Sequence, residues 1–194
     1  MSKVRLYLVR HGKTMFNTIG RAQGWSDTPL TAEGELGIHE LGIGLRESGL
    51  QFDRAYSSDS GRTIQTMGII LEELGLQGKI PYRMDKRIRE WCFGSFDGAY
   101  DGDLFMGLIP RIFNVDHVHQ LSYAELAEGL VEVDTAGWAE GWEKLSGRIK
   151  EGFEAIAKEM EEQGGGNALV VSHGMTIGTI VYLINGMHPH GLDN

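Results

Sequence analysis

An α/β fold, with a doubly wound, mainly parallel sheet carrying helices on both faces, is what this sequence predicts. Three observations predict it. Short apolar runs alternate with longer stretches of helical period, the pattern of strand–helix–strand crossovers. Two of those runs, Leu6–Val9 and Ala168–Val171, carry no charge and suit strands buried on both faces. At 194 residues the chain has room for a single domain, 1–194, with its own core.

The elements follow in order. Val4–Val9 (VRLYLV) is β-branched and aromatic and reads as the first strand. It stops at Arg10-His11-Gly12. Thr31 suits a helix N-cap, and Leu36, Ile38, Leu41 and Leu45 space a buried stripe to about Leu50. Five glycines between Gly34 and Gly49 weaken that helix on propensity. Phe52–Tyr56 is a second strand. Asp59 or Ser60 caps the next helix, which ends near Leu74 where Gly75 stops it. Lys79–Arg83 is a third strand.

From Trp91 to Gly137 the chain is Gly- and Asp-rich, and it turns helical only around Tyr123–Leu130. Between Glu90 and Lys144 the sole Lys or Arg is Arg111, against ten carboxylates. We read about 97–137 as an acidic insertion or lid, the alternative being a solvated acidic surface. Trp138, Trp142, Leu145, Ile149, Phe153, Ile156 and Met160 step by three or four residues, a core-facing helical stripe. Gly164–Gly166 turns, Ala168–Val171 is a strand, and Met175 to about Asn185 is a helix.

Composition narrows the function. The net charge is −9, from 18 Lys+Arg against 27 Asp+Glu, which disfavours nucleic acid and anionic membrane surfaces as partners. A local arginine cluster still serves a small anionic substrate. One cysteine, Cys92, allows no internal disulfide, so a cytoplasmic location is expected. No stretch reads as a signal peptide or membrane span.

In an open α/β sheet, ligands bind beyond the carboxyl ends of the strands. His11 and His173 fall at two such ends, each followed by a glycine, and Arg10 and Arg62 lie on the same side. Two imidazoles and two guanidinium groups in one pocket suit a phosphate. A metal held by the two histidines and a carboxylate is the weaker reading, because flanking arginines repel a cation. The His117/His119 and His188/His190 pairs lack partners at metal-ligand spacing and read as surface residues. Trp91, Phe93, Phe96, Tyr100 and Phe105 suit either an apolar substrate wall or the core.

Arg10-His11-Gly12 after the first strand resembles the signature of the histidine phosphatase superfamily, the phosphoglycerate mutase-like fold. Further stretches agree in order: Asn17; Gly24-Trp25 with Pro29-Leu30-Thr31 and Gly34; Tyr56-Ser57-Ser58-Asp59 with Arg62 and Thr66; Arg87-Ile88-Arg89-Glu90 with Gly94, Phe96 and Gly98; and Ser172-His173-Gly174. Asp97 stands where the family usually has Glu, and Ile38-His39 where it has Gln-Ala. The family also carries a short strand after a segment like Gly191–Asn194, where this chain stops.

The resemblance implies a phosphohistidine mechanism without metal or other cofactor, arginines taking the place of a divalent cation. His11 is then the nucleophile, and Arg10, Arg62 and His173 stabilise the transferring phosphoryl group. Asn17, Gln23, Gly24 and Gly174 join them in binding phosphate, and Glu90 is the proton donor and acceptor. The alternative for Glu90 is an ion pair with Arg87 or Arg89. The expected activity is hydrolysis of small phosphorylated metabolites by a monomer or homodimer. The acidic stretch after Glu90 lacks the cations with which mutases of the family retain a bisphosphorylated intermediate. The alternatives are a cofactor-dependent phosphoglycerate mutase and a non-catalytic binding module on the same fold.

Overall fold

A computed structural model describes residues 3–186. The His188/His190 pair and the Gly191–Asn194 segment lie outside the described residues. Four parallel strands form one sheet in the order β1-β4-β2-β3. They are β1 (Val4–Arg10), β2 (Arg54–Ser57), β3 (Tyr82–Met84) and β4 (Gly166–Ser172). Between them run α1 (Met15–Thr18), α2 (Ala32–Glu47), α3 (Gly61–Glu73), α4 (Ile109–Phe113), α5 (Tyr123–Val133) and α6 (Trp142–Glu162), with α7 (Gly174–Asn185) last.

Side chains of a strand alternate between faces, and β4 sorts accordingly. Ala168 and Val170 join the core beneath α5 and α6, while Leu169 and Val171 join the core beneath α2 and α3. Leu6 and Leu8 against Tyr7 and Val9 divide the same way in β1. The sheet is therefore covered on both faces, as the apolar runs predict.

Register does the work that matters for a site. β1 and β4 pair from Val4↔Gly166 to Arg10↔Ser172, so the next residues on each strand, His11 and His173, emerge side by side. Ser57 of β2 pairs with Val171, which brings Ser58 to the same edge.

Helix α2 forms despite its glycines, and packing explains two of them. A Cβ on Gly34 would sit 2.1 Å from the Lys13 carbonyl oxygen, and one on Gly42 would sit 2.6 Å from Glu73 Cβ of α3. Close approach to the His11 loop and to α3 therefore requires their small size. The expected stripe is corrected at Leu36, which is exposed; Ile38 and Gly42 carry the buried face.

Two boundaries move for stated reasons, and one open choice is resolved. Pro81 has no N–H to donate to a ladder, and β3 begins after it, at Tyr82. Trp138 is exposed and precedes α6. Its backbone N–H and that of Ala139 bond the Asp134 carboxylate, so this turn cannot continue the helix. Ser60, rather than Asp59, occupies the N-cap of α3.

The 97–137 stretch contains more regular structure than its composition suggests. Gly102–Leu108 is π-helical and runs into α4. Leu104, Ile109, Leu126, Ala127 and Leu130 are buried in the core beneath α6. Leu104 and Ile109 are five residues apart, the i→i+5 spacing of a π-helix, which a search for the α-helical period misses. The aromatic residues divide: Trp91 and Phe93 are buried in the core, Phe96 and Phe105 pack against it, and Tyr100 is exposed beneath the Arg21 guanidinium.

Candidate active site

The site is built where β1, β2 and β4 end and α3 and α7 begin. His11 is buried, and its Nδ1 lies 2.8 Å from the Gly12 carbonyl oxygen. A carbonyl only accepts, so Nδ1 carries the proton and Nε2 keeps its lone pair. Burial, with Arg62 and then Arg10 nearby, outweighs that bond and pushes the His11 pKa down to about 3. The imidazole is thus neutral across the physiological range. Gly12 in turn donates its N–H to Thr66 Oγ1 at 3.1 Å, and a Cβ there would meet Ile38 Cγ1 at 2.8 Å.

The ring of His173 lies 5.3 Å from that of His11, centroid to centroid, at 64°. Arg62 donates to His173 Nδ1 at 2.9 Å. An arginine never accepts, so the proton of the neutral His173 sits on Nε2 and is donated to Ser58 Oγ at 2.7 Å. Burial, then Arg62 and His11, holds the His173 pKa well below the ordinary imidazole value. Both ring nitrogens are therefore bonded within the protein, and a phosphate contact by His173 has to replace one of those bonds.

Arg62, at the start of α3, has no exposed surface. Its Nη1 donates to Ser26 O and Asp27 Oδ1, and its Nη2 to Gly24 O and Gln23 O. Its Nε–H is buried with no hydrogen-bond partner among the described residues, a costly state for a donor. Gln23 and Gly24, expected to bind phosphate, are engaged elsewhere. The Gln23 side chain accepts from Thr14 Oγ1 and donates to Thr28 Oγ1. The Gly24 N–H donates to Asp97 Oδ1. What both supply to the site is the carbonyl oxygens that orient Arg62.

A cleft of about 490 Å³ is lined by Arg10, His11, Lys13, Asn17 and Glu33, a size suited to a small ligand. Asn17 Oδ1 accepts from the backbone N–H of Thr14, whose hydroxyl proton goes to the nearer Gln23 Oε1, and Nδ2 is the donor of the Asn17 amide. The Arg10 guanidinium lies against Gly174, where a Cβ would stand 3.4 Å from Arg10 Nε. At the mouth Lys13 pairs with Glu33 at 2.9 Å.

Glu90 is buried at the N-terminus of α7. Its Oε1 accepts from Trp91 N, Thr176 N and Thr176 Oγ1, and its Oε2 from Met175 N. The ion-pair alternative is overturned: Arg87 pairs with Asp85 and Glu151, and Arg89 forks onto Asp59. Ser58, Asp27 and Thr176 are functional neighbours that sequence reasoning passed over. Ser58 lies inside a quoted motif, and Asp27 and Thr176 stand two residues from one, but only folding shows which polar atom each supplies. Among the described residues, no group of three or more His, Cys, Asp or Glu is placed to hold a metal ion.

The two buried imidazoles set an acid limit to stability. Folded His11 takes a proton only near pH 3, whereas an unfolded histidine takes one near 6.5. Between those values the unfolded chain binds more protons, so stability falls as pH is lowered through that window. Urea midpoints should drop from pH 7 to pH 4. His11→Asn should flatten that slope by up to one proton, about 1.4 kcal/mol per pH unit. An unchanged slope in the variant would contradict the buried neutral state.

Comparison with known proteins places this geometry. Residues 6–194 match the family model of the histidine phosphatase superfamily (branch 1). The chain is 32% identical over 186 residues to a probable phosphoglycerate mutase, GpmB, of Salmonella choleraesuis (strain SC-B67), covering 95% of this chain and 76% of that protein. It is similar to the crystal structure of a phosphoglycerate mutase from Bacillus anthracis str. Sterne, with a TM-score of 0.89 and 37% identity over 95% of this chain and 82% of that one. A putative alpha-ribazole-5'-P phosphatase from Escherichia coli str. K-12 substr. MG1655 shares the fold, with a TM-score of 0.68 and 24% identity over 98% of this chain and 83% of that one.

Proposed function

The chain belongs to the histidine phosphatase superfamily, and on that premise we propose that it hydrolyses small phosphomonoesters through a phosphohistidine at His11. The observation that carries the proposal is a neutral imidazole, locked by Gly12 O with Nε2 available, beside the buried Arg62 and the half-buried Arg10. Nε2 attacks phosphorus as the bond to the leaving oxygen breaks, and the Glu90 carboxyl gives that oxygen its proton. Oε2, which takes a single bond from Met175 N, is the oxygen best able to carry it. In the second half Glu90 takes a proton from water, whose oxygen attacks phosphorus as the P–N bond breaks. Inorganic phosphate leaves and neutral His11 returns.

We assign Arg10, Arg62 and Asn17 to the transferring group: Arg10 and Asn17 line the cleft, and Arg62 lies buried behind it beside His11. A phosphoryl oxygen would satisfy the Arg62 Nε–H that otherwise has no partner among the described residues. His173 holds Arg62 in place from the other side.

Hydrolysis is favoured over mutase chemistry by the charges around the cleft. A mutase must retain a doubly phosphorylated intermediate. Here Lys13 is paired with Glu33, Arg89 with Asp59, and the 91–143 stretch carries one cation against ten carboxylates. The second reading, a phosphoglycerate mutase, is favoured by the names of the relatives at 32% and 37% identity. The reading includes a cytoplasmic setting, a monomer or homodimer, and no nucleic-acid or membrane partner. No described helix is long and apolar enough to cross a membrane.

Phosphate release from a panel of phosphorylated metabolites, measured in excess EDTA, separates the two when run beside a coupled assay on 3-phosphoglycerate primed with bisphosphoglycerate. Release without isomerisation is expected. Isomerisation outpacing release would assign the mutase instead.

A further inference from the structure

Glu90 must be held at two ends to exchange a proton at one fixed point. Its carboxylate is held by the first turn of α7. Its backbone is held from a different direction, by α6. Arg148 Nη1 donates to Arg87 O at 2.8 Å and Arg89 O at 3.1 Å, and Nη2 donates to Glu90 O at 3.3 Å. The remaining donors fork onto Glu140, with Nε 3.1 and 3.0 Å from its two oxygens and Nη2 2.6 Å from Oε2. The Glu140 side chain is 2% exposed and that of Arg148 14%.

Such a pair is costly to bury, because each charge leaves water. Well-packed apolar residues would serve stability as well or better. What they cannot do is present a planar fork to three carbonyl acceptors of one turn, those of Arg87, Arg89 and Glu90, and to a carboxylate together. Those carbonyls belong to the turn that delivers Glu90. Trp25 Nε1 adds a further bond to Glu90 O at 3.0 Å, so the peptide carrying the carboxylate is clamped from both sides.

We propose that Arg148, oriented by Glu140, is a positioning residue for Glu90: it fixes the Arg87–Glu90 turn so that the carboxyl meets the leaving oxygen. The proposal rests on the reading of Glu90 as the acid. It predicts a selective defect. Displacing an acid matters most where the leaving oxygen is strongly basic, and least where it departs unaided. Phosphate binding at His11, Arg10 and Arg62 involves none of these bonds and should not change.

The test uses the full chain with Arg148→Lys, which keeps the charge and loses the fork, together with Glu90→Gln and the double variant. Two esters are compared, β-glycerol phosphate with a basic alkoxide leaving group and p-nitrophenyl phosphate with a weakly basic one. Arg148→Lys should lose about ten-fold or more in kcat/KM on the alkyl ester and less than about three-fold on the aryl ester. Inhibition by inorganic phosphate should be unaltered. In the Glu90→Gln background the same change should add less than about two-fold, since the group it positions is gone.

Equal losses on both esters, or full additivity with Glu90→Gln, would reduce Arg148 to a fold-stabilising residue and overturn the proposal. Should Arg148→Lys fail to fold, Glu140→Gln serves, because it loosens the guanidinium while leaving it in place. The same ester-selective pattern, smaller in size, is then expected, and a non-selective one is equally fatal. If Glu90→Gln itself does not discriminate between the esters, Glu90 is not the acid and the positioning role falls with it. The phosphohistidine at His11 is untouched by that result.

Discussion

Replacing His11 with asparagine is expected to abolish turnover, lowering kcat by at least about 10⁴-fold. Asparagine is close in size and can donate its amide N–H to Gly12 O in place of Nδ1. Folding at neutral pH should therefore survive, and with it the phosphate pocket. What disappears is the lone pair at Nε2. Nothing else in the cleft replaces it: Lys13 is paired with Glu33, and both nitrogens of His173 are bonded to Arg62 and Ser58. Rapid quenching after mixing with radiolabelled phosphoester should trap acid-labile phosphate on the parent protein and none on the variant. A variant that retains label and turnover would show that the covalent intermediate forms elsewhere.

The second large effect is at Arg62. Arg62→Lys keeps a positive charge and removes the geometry. The native side chain satisfies four carbonyl or carboxylate oxygens and His173 Nδ1 from within a fully buried site. An ammonium has three donors at a single point, so at least two of these acceptors lose their partner. It also removes the buried Nε–H that a phosphoryl oxygen would meet. Loss of one preorganised donor to a developing oxyanion costs about 2.7–4 kcal/mol. We expect kcat/KM to fall by about 10²–10³-fold, with inorganic phosphate inhibiting correspondingly less well. Stability should also drop by about 1–3 kcal/mol from the stranded acceptors. Near-native kcat/KM together with a lowered Tm would make Arg62 a structural residue only.

Both effects depend on positions that the sequence marks and on bonds that it does not. Strand ends followed by His-Gly are visible in one dimension, because a short, β-branched apolar run such as Ala168–Val171 suits a strand covered on both faces. Arg62 is visible as an arginine in the first turn of the following helix. That Gln23 faces Thr14 and Thr28 is not visible, since an amide has four bonding sites and chain neighbours do not decide among them. Nor is the absence of an ion pair at Glu90. Arg89 is adjacent to it in sequence, yet forks onto Asp59, 30 positions away.

The 97–137 stretch shows the same limit at the level of folding. Its acidic residues are conspicuous, and they suggest an appendage. Leu104 and Ile109 are spaced at a π-helical period that an α-helical pattern does not reveal, although both are fully buried. Trp138 is the opposite case. It has the right spacing for the stripe of α6, but Asp134 takes its backbone N–H and that of Ala139, and the ring is left exposed.

The two-faced parallel sheet, the placing of His11 and His173 at strand ends on one side of it, and the identity of the charged groups near them are legible in the sequence alone. These follow from periodicity and from residue chemistry, which act locally along the chain. Only the tertiary structure decided which ring nitrogen of each histidine holds its proton, which acceptors Arg62 satisfies, and how Arg148 reaches the turn that bears Glu90. Several of these hydrogen bonds join residues 35 to 115 positions apart in the chain, as in the Arg62–Asp27, Arg148–Glu90 and Ser58–His173 contacts. No local pattern encodes such distances.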